Sequence, residues 1–365
     1  MKLGLFDHMQ KHDKAERSYA DMYASHLDVV EFADRAGMDF YFVAEHHFDM
    51  GFSECPSPGA FLGAASQRTQ TIRLGPLVYV LPLWNPIRVA EEIALLDNLT
   101  RGRLECGFGA GIGPFTFSAY GIPWDEKRKM TLEALRMIKG MWSSASYSYE
   151  GKYFKCTNVE MCIPLVQKPH PPIWMPTRSR DSIEEAASTG ISTVQWVPPG
   201  MKAVRAAFDY YREVYRRAKP PGRKPHMGLM REIYIAASDQ RARDEARDHW
   251  TYFWHRRGGG RTYGGHGHGG VSTLLDGGRK EELLDMDRSI ADGSFICGSP
   301  ETVTRQIKDI AIQAGADTFL GEFTFGALEH RQVMSSLELF AGEVMPELRK
   351  FELDALNYPA AGADP

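Results

Sequence analysis

The stretch IRLGPLVYVLPLWNPIRVAEEIALLDNLT, residues 72–100, contains an apolar run that is followed at once by a helical pattern. The run IRLGPLVYVLP has the length and the apolar content of a buried strand. Pro86 then stands where the first turn of a helix accepts a proline. Val89, Ile93 and Leu96 follow at the spacing of one helical face. The stretch therefore predicts one strand followed by one helix.

The same alternation recurs along the whole chain. The strand-like runs lie at 2–6, 39–44, 72–82, 103–109, 171–176, 191–197, 228–237 and 317–325. Because amphipathic helical segments separate these runs, the pattern favours a parallel sheet. Eight such units predict an α/β protein with a (β/α)8 TIM barrel, and a doubly wound sheet is the alternative.

Two segments do not fit the repeat. Residues 144–170 have the pattern of an inserted hairpin with a turn near Glu150 and Gly151. Residues 256–294 contain the low-complexity run RRGGGRTYGGHGHGG, from which we predict a mobile or disordered insertion that buries no core and could serve as a lid. We expect residues 1–365 to form a single domain.

Composition and charge exclude several classes of protein. The chain has 365 residues and a formal net charge of -4, and it contains no long basic stretch, so we expect no nucleic-acid partner. The apolar run at the amino terminus is too short for a signal peptide, and no stretch approaches the roughly 18 apolar residues of a membrane span. The five cysteines include no C-x-x-C pair, which indicates a reduced, cytoplasmic protein.

Polar residues follow the first two predicted strands, at the barrel end where catalytic groups usually lie. Asp7 and His8 follow the first strand, and Glu45, His46 and His47 follow the second. Since successive strand residues point in opposite directions, we expect only one of the two adjacent histidines to face a pocket. A metal site and a purely structural strand end are the alternatives, although the zinc-binding pattern H-E-x-x-H is absent.

The fourth predicted strand ends in a glycine-rich stretch, GFGAGIGPF, at 107–115. It does not match the dinucleotide pattern G-x-G-x-x-G, because Ile112 and Pro114 stand where the last glycine would be needed. Such a loop still allows the backbone to approach a flat ligand closely, and an ordinary flexible turn is the alternative.

The stretch PTRSRDSIEEAA, at 176–187, predicts the start of a helix that is capped by a serine or an aspartate. Arg178, Ser179, Arg180 and Ser182 at this helix start suit a phosphate group, through charge, hydroxyl groups and unpaired backbone N–H groups. An ordinary cap with solvated arginines is the alternative.

Large aromatic residues near several predicted strand ends could form an apolar wall at the mouth of the barrel. These residues are Phe6, Trp84, Trp196, Trp250 and Trp254. Core packing is the alternative interpretation for each of them.

Four stretches, taken together and in this order, resemble the bacterial luciferase-like family of flavin-dependent monooxygenases over nearly the whole chain except 256–294. They are EFADRAGMDFYFVAEHHF, LGPLVYVLPLWNPIRVAEEIALLDNLTRGRLECGFGAG, QKPHPPIWMPTRSRDSIEEAASTGI and CGSPETVTRQI, which continues further along the chain to SLELFAGEVMP. The resemblance implies a (β/α)8 barrel, usually a homodimer, that uses reduced FMN as a co-substrate together with O2. It also implies a separate NAD(P)H-dependent flavin reductase and oxygenation of a hydrophobic organic substrate through a flavin C4a-hydroperoxide.

The resemblance assigns roles to individual residues. His46 matches the active-site histidine beside the flavin, and an unusual cis peptide bond under the flavin ring falls at Leu77-Val78. Gly109 and Ala110 stand where luciferase has a cysteine and an arginine, so that one of the arginines near Ser179 is expected to compensate. Together with the patterns above, the sequence predicts cofactor contacts for Glu45, Leu77, Val78, Gly109, Ala110, Arg128, Arg178, Ser179, Arg180, Ser182 and Trp196. It predicts substrate contacts for Phe6, His8, Trp84 and Trp250.

Two other functions are compatible with the same resemblance. Some relatives bind a deazaflavin and transfer hydride without oxygen, and others are barrels that bind flavin without catalysis. No metal is expected in either case.

Overall fold

The apolar runs of the sequence form a parallel barrel in the computed structural model, which describes residues 1–10, 18–48, 52–196, 200–258 and 282–359. The strands are β1 (Lys2–Asp7), β2 (Phe40–Val43), β3 (Arg73–Pro76), β4 (Tyr79–Val80), β5 (Cys106–Gly109), β6 (Tyr147–Glu150), β7 (Lys155–Val159), β8 (Ile173–Pro176), β9 (Ser192–Trp196), β10 (Met227–Ile235), β11 (Phe295–Gly298) and β12 (Thr318–Glu322).

The strand order confirms the predicted barrel and excludes the doubly wound alternative. Neighbouring strands follow the order β3-β2-β1-β12-β10-β9-β8-β5-β4, and every pair along this path is parallel. β3 and β4 are two halves of the third barrel strand, and a parallel bridge from Leu74 to Leu104 joins β3 to the segment before β5. β11 is an additional strand that pairs with the second half of β10.

Helices follow the strands and cover the outside of the barrel. They are α1 (Tyr19–Arg35), α2 (Pro58–Arg68), α3 (Pro86–Leu99), α4 (Pro114–Ala119), α5 (Lys127–Ser143), α6 (Arg180–Thr189), α7 (Met201–Ala218), α8 (Asp239–Gly258), α9 (Met286–Ala291), α10 (Pro300–Ala314), α11 (His330–Leu339) and α12 (Met345–Arg349). Pro86 begins α3 as predicted, after the Asn85 side chain, which accepts a hydrogen bond from the Ile87 N–H at 2.9 Å. No helix in the described part of the chain is long and apolar enough to cross a membrane.

The alternation of side chains along β2 explains how the barrel is filled. Phe40 and Phe42 pack inside the barrel, where both contact the ring of Trp174. Tyr41 and Val43 belong instead to the larger core between the strands and the helices. Because successive strand residues face opposite sides, one apolar run supplies both cores.

The two predicted insertions have different outcomes. Residues 144–170 contain the antiparallel hairpin β6–β7, which confirms that prediction. Of the second predicted insertion, 256–294, residues 259–281 lie outside the described residues. The prediction that the insertion buries no core is wrong for residues 282–294. There Leu283, Met286 and Ile290 are buried in an aromatic core with Trp250 and Phe295, because these apolar side chains lie next to the glycine tract and not within it.

Candidate active site

A cavity of about 610 Å³ opens at the carboxyl-terminal ends of the barrel strands. Its walls come from the ends of β1, β5, β8 and β9, from the residues after β2, and from the start of α5 and α6. All but three of the predicted site residues line this cavity; the exceptions are Trp84, Arg180 and Trp250. The carboxyl-terminal location matches that of active sites in other barrels of this type.

His8, directly after β1, is held by a buried carboxylate. Its Nδ1 lies 2.6 Å from Oε1 of Glu322, at the end of β12, and both side chains are almost fully buried. Because a carboxylate only accepts hydrogen bonds, this contact places the proton on Nδ1 and fixes the orientation of the imidazole. The ring centroid of His46 lies 5.7 Å from that of His8, so two imidazoles share one side of the cavity.

Both histidines of the pair 46–47 line the cavity, so the prediction that only one does so is wrong. β2 ends at Val43, and the strict alternation of a strand no longer applies three residues later. The two side chains nevertheless have different surroundings. His47 is bound on both ring nitrogens, with Nε2 2.9 Å from Glu45 Oε1 and Nδ1 3.2 Å from the Tyr120 hydroxyl.

Glu45 lines the cavity, but its buried carboxylate is committed to neighbouring protein groups. It accepts hydrogen bonds from the Val80 N–H and from Trp84 Nε1, each at 3.0 Å, in addition to the contact with His47. Glu45 therefore ties the end of β2 to β4 and to the turn after it. The same hydrogen bond directs the Trp84 indole to Glu45 and against the ring of Tyr79, outside the cavity.

The floor of the cavity contains the cis peptide bond between Leu77 and Val78, at the position that the resemblance indicates. The neighbouring strand β5 approaches this segment so closely that it has no room for side chains. A Cβ atom at Gly107 would lie 2.2 Å from the Pro76 carbonyl oxygen, and one at Gly109 would lie 2.5 Å from a Val78 methyl carbon. Gly107 and Gly109, both within β5, are thus explained by the close approach of this strand to the segment 76–78.

The start of α6 forms one edge of the cavity. Ser179 is the N-cap, and its hydroxyl accepts from the Ser182 N–H, while the Ser182 hydroxyl accepts from the backbone N–H groups of Ser179 and Arg178. Partial burial lowers the pKa of Arg178, which has no carboxylate partner among the described residues. Arg180, the first residue of α6, does not line the cavity, and its guanidinium lies over the ring of Tyr210, 4.3 Å from the centroid.

Lys127 is a cavity residue that the sequence reasoning missed. Its ammonium donates to the Gly111 carbonyl oxygen at 2.7 Å and lies 3.2 Å from the centroid of the Trp124 ring. Burial, and secondarily the charge of Arg128, lower its pKa to about 8. The sequence signal was its place directly before Arg128, which was predicted and which also lines the cavity.

Apolar and neutral polar residues complete the wall and were also missed. Met175, Met230 and Val194 project from barrel strands, together with Gln195, whose amide donates to the Thr177 carbonyl oxygen. Their apolar strand context resembles that of core residues, so the sequence alone gives no signal for a site. The cavity is also lined by the aromatic residues Phe48, Phe115 and Phe117.

Trp196 lines the cavity as predicted, whereas Trp250 does not. The indole of Trp196 donates to Glu232 at 3.2 Å and stacks on Trp254 at a centroid distance of 6.2 Å. Trp250 is fully buried behind it, stacked on Phe295 at 4.2 Å, and its N–H donates to the Leu283 carbonyl oxygen. It is a core residue because the added strand β11 covers it.

The cavity suits a planar cofactor with an anionic tail. Lys127, Arg128 and Arg178 all line it, and none of these cations has a carboxylate within ion-pair distance in the described part of the chain. Elsewhere the walls are largely apolar, with His8 and His46 among the polar groups. Such a donor set holds a phosphate group, while an apolar wall excludes water from a ring.

Comparisons with known proteins agree with this geometry. A family model described as luciferase-like monooxygenase matches residues 1–318. The oxygenase component of flavin-dependent trigonelline monooxygenase from Acinetobacter baylyi is 28% identical over 68% of this chain and 69% of its own length. The crystal structure of the monooxygenase RslO1 from Streptomyces bottropensis has a TM-score of 0.80 at 27% identity, covering 95% of this chain and 99% of that one.

A third comparison is informative about the fold. The oxygenating constituent of 3,6-diketocamphane monooxygenase from Pseudomonas putida, in complex with FMN, has a TM-score of 0.76 at 22% identity, with 95% and 98% of the two chains covered. The family match confirms the resemblance found in the sequence and the expectation of an oxygenating enzyme. The chain belongs to the luciferase-like monooxygenase family.

Proposed function

We propose that this protein is the oxygenase of a two-component system, which uses reduced FMN and O2 to oxygenate a hydrophobic organic substrate. The observation that supports this most directly is the cavity itself, which combines unpaired cations, an apolar wall and two adjacent imidazoles at the carboxyl-terminal end of the barrel. The proposal includes a homodimer and a separate NAD(P)H-dependent flavin reductase.

The phosphate tail is assigned to the cations that line the cavity. Arg178 and Lys127 would supply charge, and the capped start of α6 would add the dipole of a helix amino terminus. Ser179 and Ser182 hold the backbone of this helix start in place through their mutual capping contacts. Arg180 has no part in the proposed phosphate site, because its guanidinium packs on Tyr210.

Reduced FMN, when bound, supplies the electrons with which molecular oxygen is activated. The protein contributes position, exclusion of water and proton control. Phe6, Met230 and Trp196 line the cavity with apolar surface that keeps bulk water from the reacting groups. His46 is assigned to proton transfer or hydrogen bonding at the reacting end, and His8, oriented by Glu322, lies beside it.

A binding experiment tests the placement of the tail. We expect R178Q to weaken FMN binding by about tenfold, the usual scale for loss of one charge-assisted contact, as measured by quenching of flavin fluorescence. R180Q is a matched control on the same helix start and is expected to bind FMN like the parent. Equal affinities for the two variants would contradict the assignment.

Turnover with labelled oxygen tests the reaction. The full-length protein, FMN, a flavin reductase and a panel of hydrophobic ketones, aldehydes and alkenes would be incubated under ¹⁸O₂, and products analysed by mass. We expect one labelled oxygen atom in the product, and an H46Q variant that keeps its FMN affinity but loses product per O2 consumed. Substrate conversion with a deazaflavin and without label would instead indicate hydride transfer, and FMN binding without conversion would indicate a non-catalytic barrel.

A further inference from the structure

A second cavity, of about 650 Å³, lies at the opposite end of the barrel. It is lined by Lys2, Phe40, Arg73, Ile173 and Ser192, each of which is the first residue of a barrel strand. It lies at the amino-terminal ends of the strands, and the packed interior of the barrel separates it from the first cavity. It therefore needs an explanation of its own.

The lining of this second cavity is strongly basic, although the whole chain has a net charge of -4. The cationic side chains are Lys2, Arg73, Lys139, Lys168, Arg223 and Lys224, and the carboxylates are Asp39 and Glu105. Six positive charges against two negative ones leave an excess of four positive charges, with histidines counted as neutral.

Ion pairs within the protein account for only half of these cations. Lys2 pairs with Asp39 at 2.8 Å, Lys224 pairs with Asp354 at 2.6 Å, and Arg73 pairs with Glu105. Lys139, Lys168 and Arg223 have no carboxylate within ion-pair distance among the residues that the structure describes. Three specific cations of the lining are thus left without an ion-pair partner.

Some of these cations converge in space. Arg223 lies 3.5 Å from Oε1 of Gln167, and Arg73 donates to the same oxygen at 2.8 Å. The pKa of His170 is lowered first by burial and then by the positive charges of Lys139 and Arg223. Helix α5 and the loop before β10 therefore bring two positive charges close to one imidazole, and two guanidinium groups meet at one amide oxygen, an arrangement that a bound anion would relieve.

The cavity also has an aromatic floor. The imidazole of His226 stacks on the ring of Trp174, with centroids 5.7 Å apart and an angle of 10° between the planes. The rings of Phe40 and His226 pack edge-to-face, with centroids 5.6 Å apart. Ile173 and Ile191 add aliphatic surface to the lining. A ligand that fits both parts carries a negatively charged oxygen group and an apolar portion.

We propose that this second cavity binds a small organic anion, whose carboxylate or phosphate group is held by Lys139, Lys168 and Arg223. Its apolar portion packs on the floor formed by Phe40 and His226. The guanidinium of Arg223 offers two parallel donors to such a group, and the lysines add point charges. This site is independent of the flavin-dependent reaction proposed above.

Calorimetric titration of the full-length protein at low ionic strength tests the proposal. The probes are phenyl phosphate, benzoate, inorganic phosphate and the neutral benzyl alcohol. We expect phenyl phosphate or benzoate to bind, inorganic phosphate to bind more weakly because it has no apolar portion, and benzyl alcohol not to bind. The comparison of phenyl phosphate with benzoate decides which anionic group is preferred.

Variants locate the binding. K139Q and R223Q are each expected to weaken binding of the preferred probe by about tenfold. R136Q removes an exposed cation from the same helix as Lys139, outside both cavities, and is expected to bind like the parent. Thermal melts of the three variants show whether each remains folded.

Three results would overturn the proposal. The first is that no anionic probe binds, and the second is that binding falls equally in R136Q and in the cavity variants. The third is that binding is lost in R178Q while K139Q and R223Q resemble the parent. The last result would place the probe at the edge of the first cavity.

Discussion

The buried carboxylate of Asp7 offers the clearest test of how the end of β1 is held. Its Oδ2 accepts hydrogen bonds from Tyr41 and His26, each at 2.7 Å. Its Oδ1 accepts from the Met9 N–H at 2.8 Å and from the Thr324 hydroxyl at 2.9 Å. The residue is 1% exposed, so replacement by Asn would turn an amide N–H₂ toward two of these four donors.

The magnitude follows from the pKa and from the number of donors. Burial alone would raise the pKa of Asp7, but the charge and hydrogen bond of His26, with those of Tyr41 and Met9, lower it from 3.8 to about 2. At about 1.4 kcal/mol for each pH unit, ionisation contributes about 2.5 kcal/mol to stability at neutral pH. With unsatisfied donors added, we expect D7N to lower the free energy of unfolding by about 3–5 kcal/mol.

The sign of the pH dependence is fixed by the lowered pKa. The stabilising contribution is fully present above the unfolded-state pKa near 3.8, and it is lost as the pH falls through about 2. The difference in unfolding free energy between the parent and D7N should therefore shrink by about 1 kcal/mol between pH 6 and pH 3.

Guanidinium denaturation at pH 6, 4 and 3 measures this difference. D28N is a suitable control, because Asp28 is exposed and forms only surface ion pairing with Arg68, at 2.9 Å. Such pairs contribute about 0–1 kcal/mol, so D28N should stay close to the parent. If D7N lowers the free energy of unfolding no more than D28N does, or if its effect is constant from pH 6 to pH 3, the hydrogen bonds of the Asp7 carboxylate do not stabilise the protein as argued.

Three further predictions concern packing and the proposed cofactor site. G107A brings a Cβ atom to 2.2 Å from a backbone oxygen, so it should lower the free energy of unfolding, measured by guanidinium denaturation, by more than about 2 kcal/mol. G63A has open space around it in helix α2 and should raise the free energy of unfolding by about 0.5–1 kcal/mol. W250F removes the hydrogen bond to the Leu283 carbonyl oxygen and should lower the free energy of unfolding by about 1–2 kcal/mol. Amide hydrogen exchange in 282–294 should become faster, and the affinity for FMN should not change. In the parent, FMN affinity should fall as the pH rises through about 8, where Lys127 loses its charge, and K127Q should lack this step. An unchanged step in K127Q, equal costs for the two glycine variants, or slow exchange in W250F would each contradict the corresponding prediction.

The barrel could be predicted because its signals are local. Each apolar run and each helical repeat is contained in about ten residues, and the order of these elements limits the topology to few choices. The added strand β11 gave no such signal, since its role depends on pairing with the second half of β10. The same long-range packing buries Trp250, which sequence alone cannot distinguish from an aromatic residue at the barrel mouth.

Side-chain direction at the site was predicted less well than location. Arg178 and Arg180 are two residues apart at one helix start, yet only Arg178 lines the cavity. Trp84 lies next to the site in sequence and in space, but its hydrogen bond to Glu45 points it elsewhere. In each case a single contact with a distant residue decides the direction, and local sequence carries no record of that contact.

The distribution of charge around the first cavity suggests how a bound flavin would be oriented. Glu45 and Glu322 are buried, and each is paired with an imidazole. The cations Lys127 and Arg178 have no such partners. The carboxylates would therefore repel the dianionic tail of a ligand whose ring is neutral, and the cations would attract that tail. The orientation assigned in the proposed function therefore depends on the pairing of the carboxylates as much as on the unpaired cations.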